Sequence, residues 1–211
     1  MDDLKQKVFK ESLRYLRVKY EHEDIELEAK IYECIDELEK LNSFKFLVKS
    51  FDKQIDDEKV VIDGVVIESV DIHKLLDNSK VVFAFACTLG VQVDKLINSK
   101  LKKSTYEGMI YDSVSSAYVE EKLEIAIHDL HCDTGNNFTT RFSPGYGDLD
   151  ISEQSKISKL LKYDTIGMNL SDSHILIPRK SITGIFGDDY MHYEKINCGT
   201  CDKIDCVYRG E

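Results

Sequence analysis

The sequence predicts one α+β domain with an N-terminal helical lobe, and three observations carry that prediction. Two amphipathic helical stretches open the chain. The apolar period then switches from helical spacing to alternation, around an Asp63-Gly64 turn. Further on, strand-like and helix-like segments are interspersed without repeat or low-complexity linker, and prolines number only two. With 211 residues the chain is long enough to bury a real core. Its 42% hydrophobic and 32% charged residues read as globular rather than disordered.

In the first helical stretch Leu4, Val8, Phe9, Leu13 and Leu16 recur at helical spacing, and in the second Leu27, Ile31, Cys34, Ile35, Leu38 and Leu41 do the same. Glu and Lys crowd the other faces, so both read as amphipathic covers. Phe44, Phe46 and Val48 alternate as a strand would. Val60-Val61-Ile62 and Val65-Val66-Ile67 flank Asp63-Gly64, the dipeptide of a tight hairpin. A short helix near Val70–Leu76 precedes the apolar run Val81–Cys87, which suits a strand covered on both faces. Helices follow from about Val91 and from about Thr105 to Leu130. Ser113, Ser115, Ser116 and Ala117 give the second of these a narrow face, open to close packing or to a ligand. Phe138–Phe142 reads as a strand and the segment with Ile157, Leu160 and Leu161 as a helix. Short strands are expected at Ile166–Leu170, Ile175–Ile177 and Ser181–Phe186.

Charge and composition exclude several functions. A net charge of −11 with dispersed basic residues argues against a nucleic-acid partner. No apolar run reaches the ~20 residues of a membrane span. The segment Met1-Asp2-Asp3-Leu4-Lys5 lacks a basic flank before an apolar stretch, so no secretory signal is read and a cytoplasmic location is expected. Of six cysteines, Cys34, Cys87 and Cys132 are isolated, with Cys87 read as a small buried hydrophobe. Cys198, Cys201 and Cys206 form a C-x2-C-x4-C group. In a reducing compartment such a group suggests one zinc, three corners of an iron–sulfur cluster, or unmetallated thiols. Cys132, Cys87 or His192 could complete a fourth position. His128, His131 and Cys132 at a helix end read as solvated or capping groups rather than ligands.

The loop Arg141–Asp148 is the most informative stretch. Pro144 fixes φ, while Gly145 and Gly147 permit backbone conformations closed to other residues. Arg141 precedes the loop with a planar fork that suits a carboxylate, and Tyr146 adds a ring and a hydroxyl. These residues alone fit either a site for a small anionic or zwitterionic ligand or a simple tight turn.

Arg141-Phe-Ser-Pro-Gly-Tyr-Gly-Asp148 resembles the Arg-Pro-Ala-x-Gly-Tyr loop of the activation domain of cobalamin-dependent methionine synthase. The resemblance continues in register. Gly167-Met168-Asn169-Leu170-Ser171-Asp172-Ser173 is similar to the family's Gly-Met-x-Leu-Thr-Glu-Ser, and Pro178 with Ser181-Ile182-Thr183-Gly184 to its Pro-x-x-Ser-Val-Ser-Gly. The Tyr106–Glu120 helix matches the helix before the loop, so the match covers about residues 80–187. It implies a twisted, mainly antiparallel sheet flanked by helices. It divides the chain into an N-terminal helical and hairpin segment (1–78), an activation-domain-like core (79–190) and a Cys-containing tail (191–211).

The resemblance also implies a function: binding S-adenosylmethionine in a shallow groove and presenting its methyl group for reductive remethylation of cob(II)alamin. Arg141 would hold the methionine carboxylate, Ser143 and Gly145 would offer backbone contacts, Tyr146 would sit between ligand and corrin, and Glu120 would meet the α-ammonium group. Such a chain is an accessory module rather than an independent enzyme. Its implied partners are a cobalamin-binding methionine synthase core and a flavodoxin- or ferredoxin-like electron donor. Residues 1–80 do not match the family's opening segment, so its ligand-binding Asp has no counterpart here, and a late Tyr of the family falls on Tyr190 or Tyr193. An alternative rests on the cysteine tail instead: a metal- or iron–sulfur-containing electron-transfer protein serving another corrinoid methyltransferase. An independent small-molecule methyltransferase is disfavoured, because Thr88-Leu89-Gly90 supplies one glycine where a nucleotide-binding turn needs several.

Overall fold

A computed structural model describes residues 3–18, 24–56 and 59–189. Two helices come first, α1 (Asp3–Leu16) and α2 (Ile25–Leu41). Asp24 caps α2 by accepting from the Leu27 amide at 3.0 Å, and Asn42 ends it in the left-handed conformation. The chain then enters a five-stranded antiparallel sheet. Its strands are β1 (Lys45–Asp56), β2 (Lys59–Ile62), β3 (Val65–Ile67), β4 (Val81–Thr88) and a last strand, Ser181–Gly187. Helix α3 (Val70–Leu75) lies between β3 and β4, and α4 (Val91–Lys103) and α5 (Thr105–Thr134) follow β4. Helix α6 (Gln154–Leu160) and a two-stranded hairpin, β5 (Asn169–Leu170) with β6 (Leu176–Ile177), lead to the last strand, β7.

The sheet order is β3-β2-β1-β4-β7. Strand β1 serves two partners in succession: Lys45–Asp52 pair with β4, and Lys53–Asp56 pair with β2. That division curls the sheet and makes residues 45–67 part of the same layer as β4 and β7. Asp63 (φ +48°) and Gly64 (φ +75°) form the two-residue turn expected of the β2–β3 hairpin.

Strand periodicity splits β4 between two cores. Phe83, Phe85 and Cys87 face α1, α2, α4 and α5 together with Phe186. Val82, Ala84 and Ala86 face α3, α6 and the β5–β6 side together with Ile185 and Met168. The apolar run of β4 is continuous because both of its faces are covered. Helices α4 and α5 meet closely at Gly108, where a Cβ would stand 2.7 Å from the Leu101 backbone. Of the narrow face of α5, Ser115 and Ala117 are buried against the core, while Ser113 and Ser116 are half-buried.

Two expected strands differ. Phe138–Phe142 is not a regular strand but runs along the outer edge of β7 through isolated bridges, Phe138 with Asp188 and Phe142 with Ile185. Of Ile166–Leu170, only Asn169–Leu170 is extended. Tyr163–Ile166 instead forms a 3-10 turn closed by Gly167 at φ +78°, which buries Tyr163 and Met168 as anchors.

Candidate functional site

Arg141 lies where the irregular edge segment leaves β7. Phe142 exchanges both backbone hydrogen bonds with Ile185, at 2.8 Å each, which fixes the direction in which its neighbour points. The guanidinium reaches the outer face of α5. Its Nη2 donates to Glu124 and lies 3.9 Å from Glu120 Oε2. Its Nη1 is buried without a hydrogen-bond partner among the described residues. Glu120 and Glu124 are four residues apart and so share one helical face. Burial raises the Glu120 carboxyl above the ordinary range, and the Arg141 charge only partly offsets it. Beneath them Cys87 is fully buried, and burial pushes its thiol up to about 12. It is the small hydrophobe the sequence suggested.

The next residues fold into a self-bonded turn. Gly145 donates its amide to the Leu149 carbonyl at 2.7 Å, and Tyr146 donates to Ser143 at 3.2 Å. Gly145 (φ +94°) and Gly147 (φ +52°) occupy the left-handed region. Gly147 is further confined, since a Cβ there would meet Asp71 Oδ2 at 2.2 Å. The Gly145 and Tyr146 amides are thus spent within the turn. The Tyr146 ring stands 67% exposed above the turn.

Asp148 anchors the loop to the start of α3. Its carboxylate accepts from the Ser69 hydroxyl, the Val70 amide at 2.7 Å and the Asp71 amide at 3.4 Å, and its own amide donates to Asp71 at 3.2 Å. Burial opposes ionisation, but these donors outweigh it and hold the carboxyl below the usual range. A depressed folded-state pKa contributes stability that is present above the unfolded value and lost as pH falls through the folded one. Stability is therefore expected to decline as pH drops below about 4, the ordinary Asp value, and Asp148→Asn should flatten that decline. Urea unfolding at a series of pH values measures it; an identical pH profile in the variant would contradict the anchor's role.

Residues that sequence reasoning missed also converge here. Glu11, Arg14 and Tyr15 of α1 come within electrostatic reach of Glu120, and Tyr15 within reach of Tyr146. Glu124 could have been found from its i+4 spacing to Glu120, whereas the approach of α1 leaves no local signal. Just before β7, Lys180 is buried with its ammonium 2.8 Å from Ser116 Oγ and 3.0 Å from Asp112, which lie one and two turns before Glu120 on α5. Cys198, Cys201 and Cys206, with His192, Tyr190 and Tyr193, lie outside the described residues. Among the described residues no group of three His, Cys, Asp or Glu is placed to hold a metal ion, and no helix is long and apolar enough to cross a membrane.

Fold and site together define an α+β domain with a curled antiparallel sheet, which presents an arginine–carboxylate cluster on a glycine turn at the sheet edge. No protein-family model matches the sequence, and no curated protein matches it. Among solved structures the chain is similar to the MetH reactivation domain bound to AdoHcy, with a TM-score of 0.61 at 17% identity, covering 82% of this chain and 69% of that one. The likeness shows the fold, which is that of the MetH reactivation domain.

Proposed function

We propose that the chain binds S-adenosylmethionine at the edge of β7 and presents its methyl group to a cobalamin-binding methionine synthase core. The observation that carries this reading is Arg141. Its fork faces two carboxylates and keeps one buried nitrogen without a partner, on a fold shared with a domain whose structure holds AdoHcy. Arg141 holds the methionine carboxylate, Glu120 meets the α-ammonium, and the Ser143 and Gly145 backbone flanks the chain of the ligand. Tyr146 offers its exposed ring to the sulfonium, a cation over a π face, and to the corrin beyond. The partner would supply the corrinoid and a flavodoxin- or ferredoxin-like donor the electron for a methyl transfer that leaves S-adenosylhomocysteine, while Arg141, Glu120 and Tyr146 would hold the methyl donor toward it. The chain's own contribution is position: it converts a bimolecular encounter into an oriented one and needs no general acid or base.

The test supplies methyl-labelled S-adenosylmethionine, a reductant and the cobalamin-binding core. Label is expected on cobalt only when this chain is present. Transfer equal to a control without the chain would contradict the reading, as would multiple turnover with a free small acceptor.

Glu124 already engages the Arg141 fork, so the ligand's carboxylate must displace it. Glu124→Gln is therefore expected to tighten binding by roughly fivefold, the equivalent of about 1 kcal/mol for a surface pair. Unchanged or weaker binding in calorimetric titration would mean that Glu124 does not compete.

A further inference from the structure

Lys180 is a buried charge to which the contacts proposed so far give no role. Its backbone is pinned on both sides. The Lys180 carbonyl accepts from the Leu89 amide at 2.9 Å, and the Arg179 amide donates to Asp94 at 3.0 Å. Strand alternation gives Lys180 the face of Ile182 and Phe186, which is turned toward α5. There the ammonium, on a residue only 8% exposed, meets Ser116 Oγ at 2.8 Å and Asp112 Oδ1 at 3.0 Å. Burying an ammonium costs desolvation that its ion pair does little more than offset, so packing alone gives no reason for it.

Two cations thus address successive turns of one helical stripe. Asp112, Ser116, Glu120 and Glu124 recur every four residues along α5. Lys180 meets the first two, and Arg141 the last two. Asp112 lies two turns before Glu120, about 12 Å along the axis, a span on the scale of an extended methionyl chain and its sugar. The room lies on that side of Arg141. Toward the end of α5 the edge segment covers β7 through its bridges to Asp188 and Ile185, and Phe138 packs on Phe186. Before Ile185 no such bridge is made among the described residues, and Ile182, Ser113 and Ser116 are only half-buried.

The polar groups at the far end of this groove match a vicinal diol. The two hydroxyls of a ribose can both donate to one carboxylate, the way acidic side chains hold ribose in nucleotide sites. Asp112 is fixed by Lys180 through one oxygen yet exposes 48% of its side chain, so its carboxylate is both oriented and open. An ammonium has three N–H donors, and Lys180 spends two of them on Ser116 and Asp112. The third suits a hydroxyl oxygen.

We propose that Asp112 and Lys180 form a ribose subsite, so that S-adenosylmethionine lies along α5 with its nucleoside pointing from Arg141 toward Lys180. This orientation presupposes that Arg141 holds the methionine carboxylate, as proposed above. It also lets the groove tell S-adenosylmethionine from methionine, which reaches Arg141 but has no hydroxyls for Asp112.

The test is a double-mutant-style cycle on the full chain, titrated calorimetrically with S-adenosylhomocysteine and with its deoxyribose analogue, which lacks one ribose hydroxyl. Wild type is expected to bind the analogue roughly 10- to 100-fold more weakly, the weight of a hydrogen bond to a charged group. Asp112→Ala should lose a similar factor for S-adenosylhomocysteine and then lose less than about twofold more for the analogue, because both changes remove one interaction. Asp112 is half exposed, so the fold should survive. Asp112→Asn, which keeps the side chain's size, is measured beside it and should also shrink the analogue's penalty. Wild-type affinity in both variants, with binding still lost in Arg141→Ala, would overturn the ribose subsite and leave the ligand at Arg141 standing. An analogue penalty undiminished in both variants would do the same. A wild-type chain that binds neither compound would overturn both.

Discussion

Arg141→Ala is expected to weaken S-adenosylmethionine binding by roughly 2–5 kcal/mol, the usual loss when one partner of a hydrogen-bonded charge pair is truncated. That corresponds to roughly thirtyfold to several thousandfold in Kd, read by calorimetric titration. Arg141→Lys keeps the charge but not the planar fork, and should recover only part of the loss. Folding should barely respond. The partners Glu120 and Glu124 expose 42% and 57% of their side chains, and such surface pairs are worth about 0–1 kcal/mol. A variant that binds as the wild type does would remove Arg141 from the site. One that unfolds at a much lower temperature would recast it as a structural residue.

Phe186→Ala is expected to cost about 3–5 kcal/mol of stability, the range for deleting a buried aromatic ring. For a chain of this size that is roughly 6–20 °C in Tm. Phe186 is fully buried on β7. Its ring stacks on Phe83 at 5.1 Å and meets Phe138 edge-on at 5.1 Å, with Phe85 tilted at 5.9 Å. Phe138 belongs to the segment that runs along β7 to Arg141, so the loss should reach the site as well. Ligand affinity is expected to fall in the folded variant measured well below its Tm. Thermal unfolding and titration of one preparation test both effects. A Tm within a degree or two of wild type would mean that the aromatic cluster is not the seat of this edge.

Much of the fold was legible because its cues are local. The β2–β3 turn follows from Asp63-Gly64, whose positive φ values suit only a few residue types. The run Val81–Cys87 announced a strand covered on both faces, and it proved to separate the two cores. Strand β1 was legible only at Phe44–Val48. Its far half, Lys49 to Asp56, is mostly polar, and its pairing with β2 is a long-range fact. The segment around Ile166 misled for the opposite reason. Its apolar residues suggest extension, yet a turn closed by Gly167 buries Tyr163 and Met168 instead.

The candidate site divides in the same way. Arg141, Gly145 and Tyr146 are neighbours in sequence, so one loop displayed them together. Glu120 came from resemblance rather than from any local signal. Nothing in the sequence sets the rotation of α5 against β7, and that rotation brings Glu124 onto the same guanidinium. The arrival of Glu11, Arg14 and Tyr15 from α1 depends on packing across more than a hundred residues. The Gly145 amide, on the backbone that the resemblance assigns to the ligand, is bonded within the turn, because a tight turn satisfies its own donors.

The most direct test of the central claim is a crystal structure of the chain with S-adenosylhomocysteine. The account predicts the ligand's carboxylate within about 3 Å of the Arg141 guanidinium, with Glu124 turned away and the Tyr146 ring beside the sulfur. Ligand bound elsewhere at full occupancy, for example in the cleft lined by Lys100 and Tyr111, with Arg141 still paired to Glu124, would contradict it.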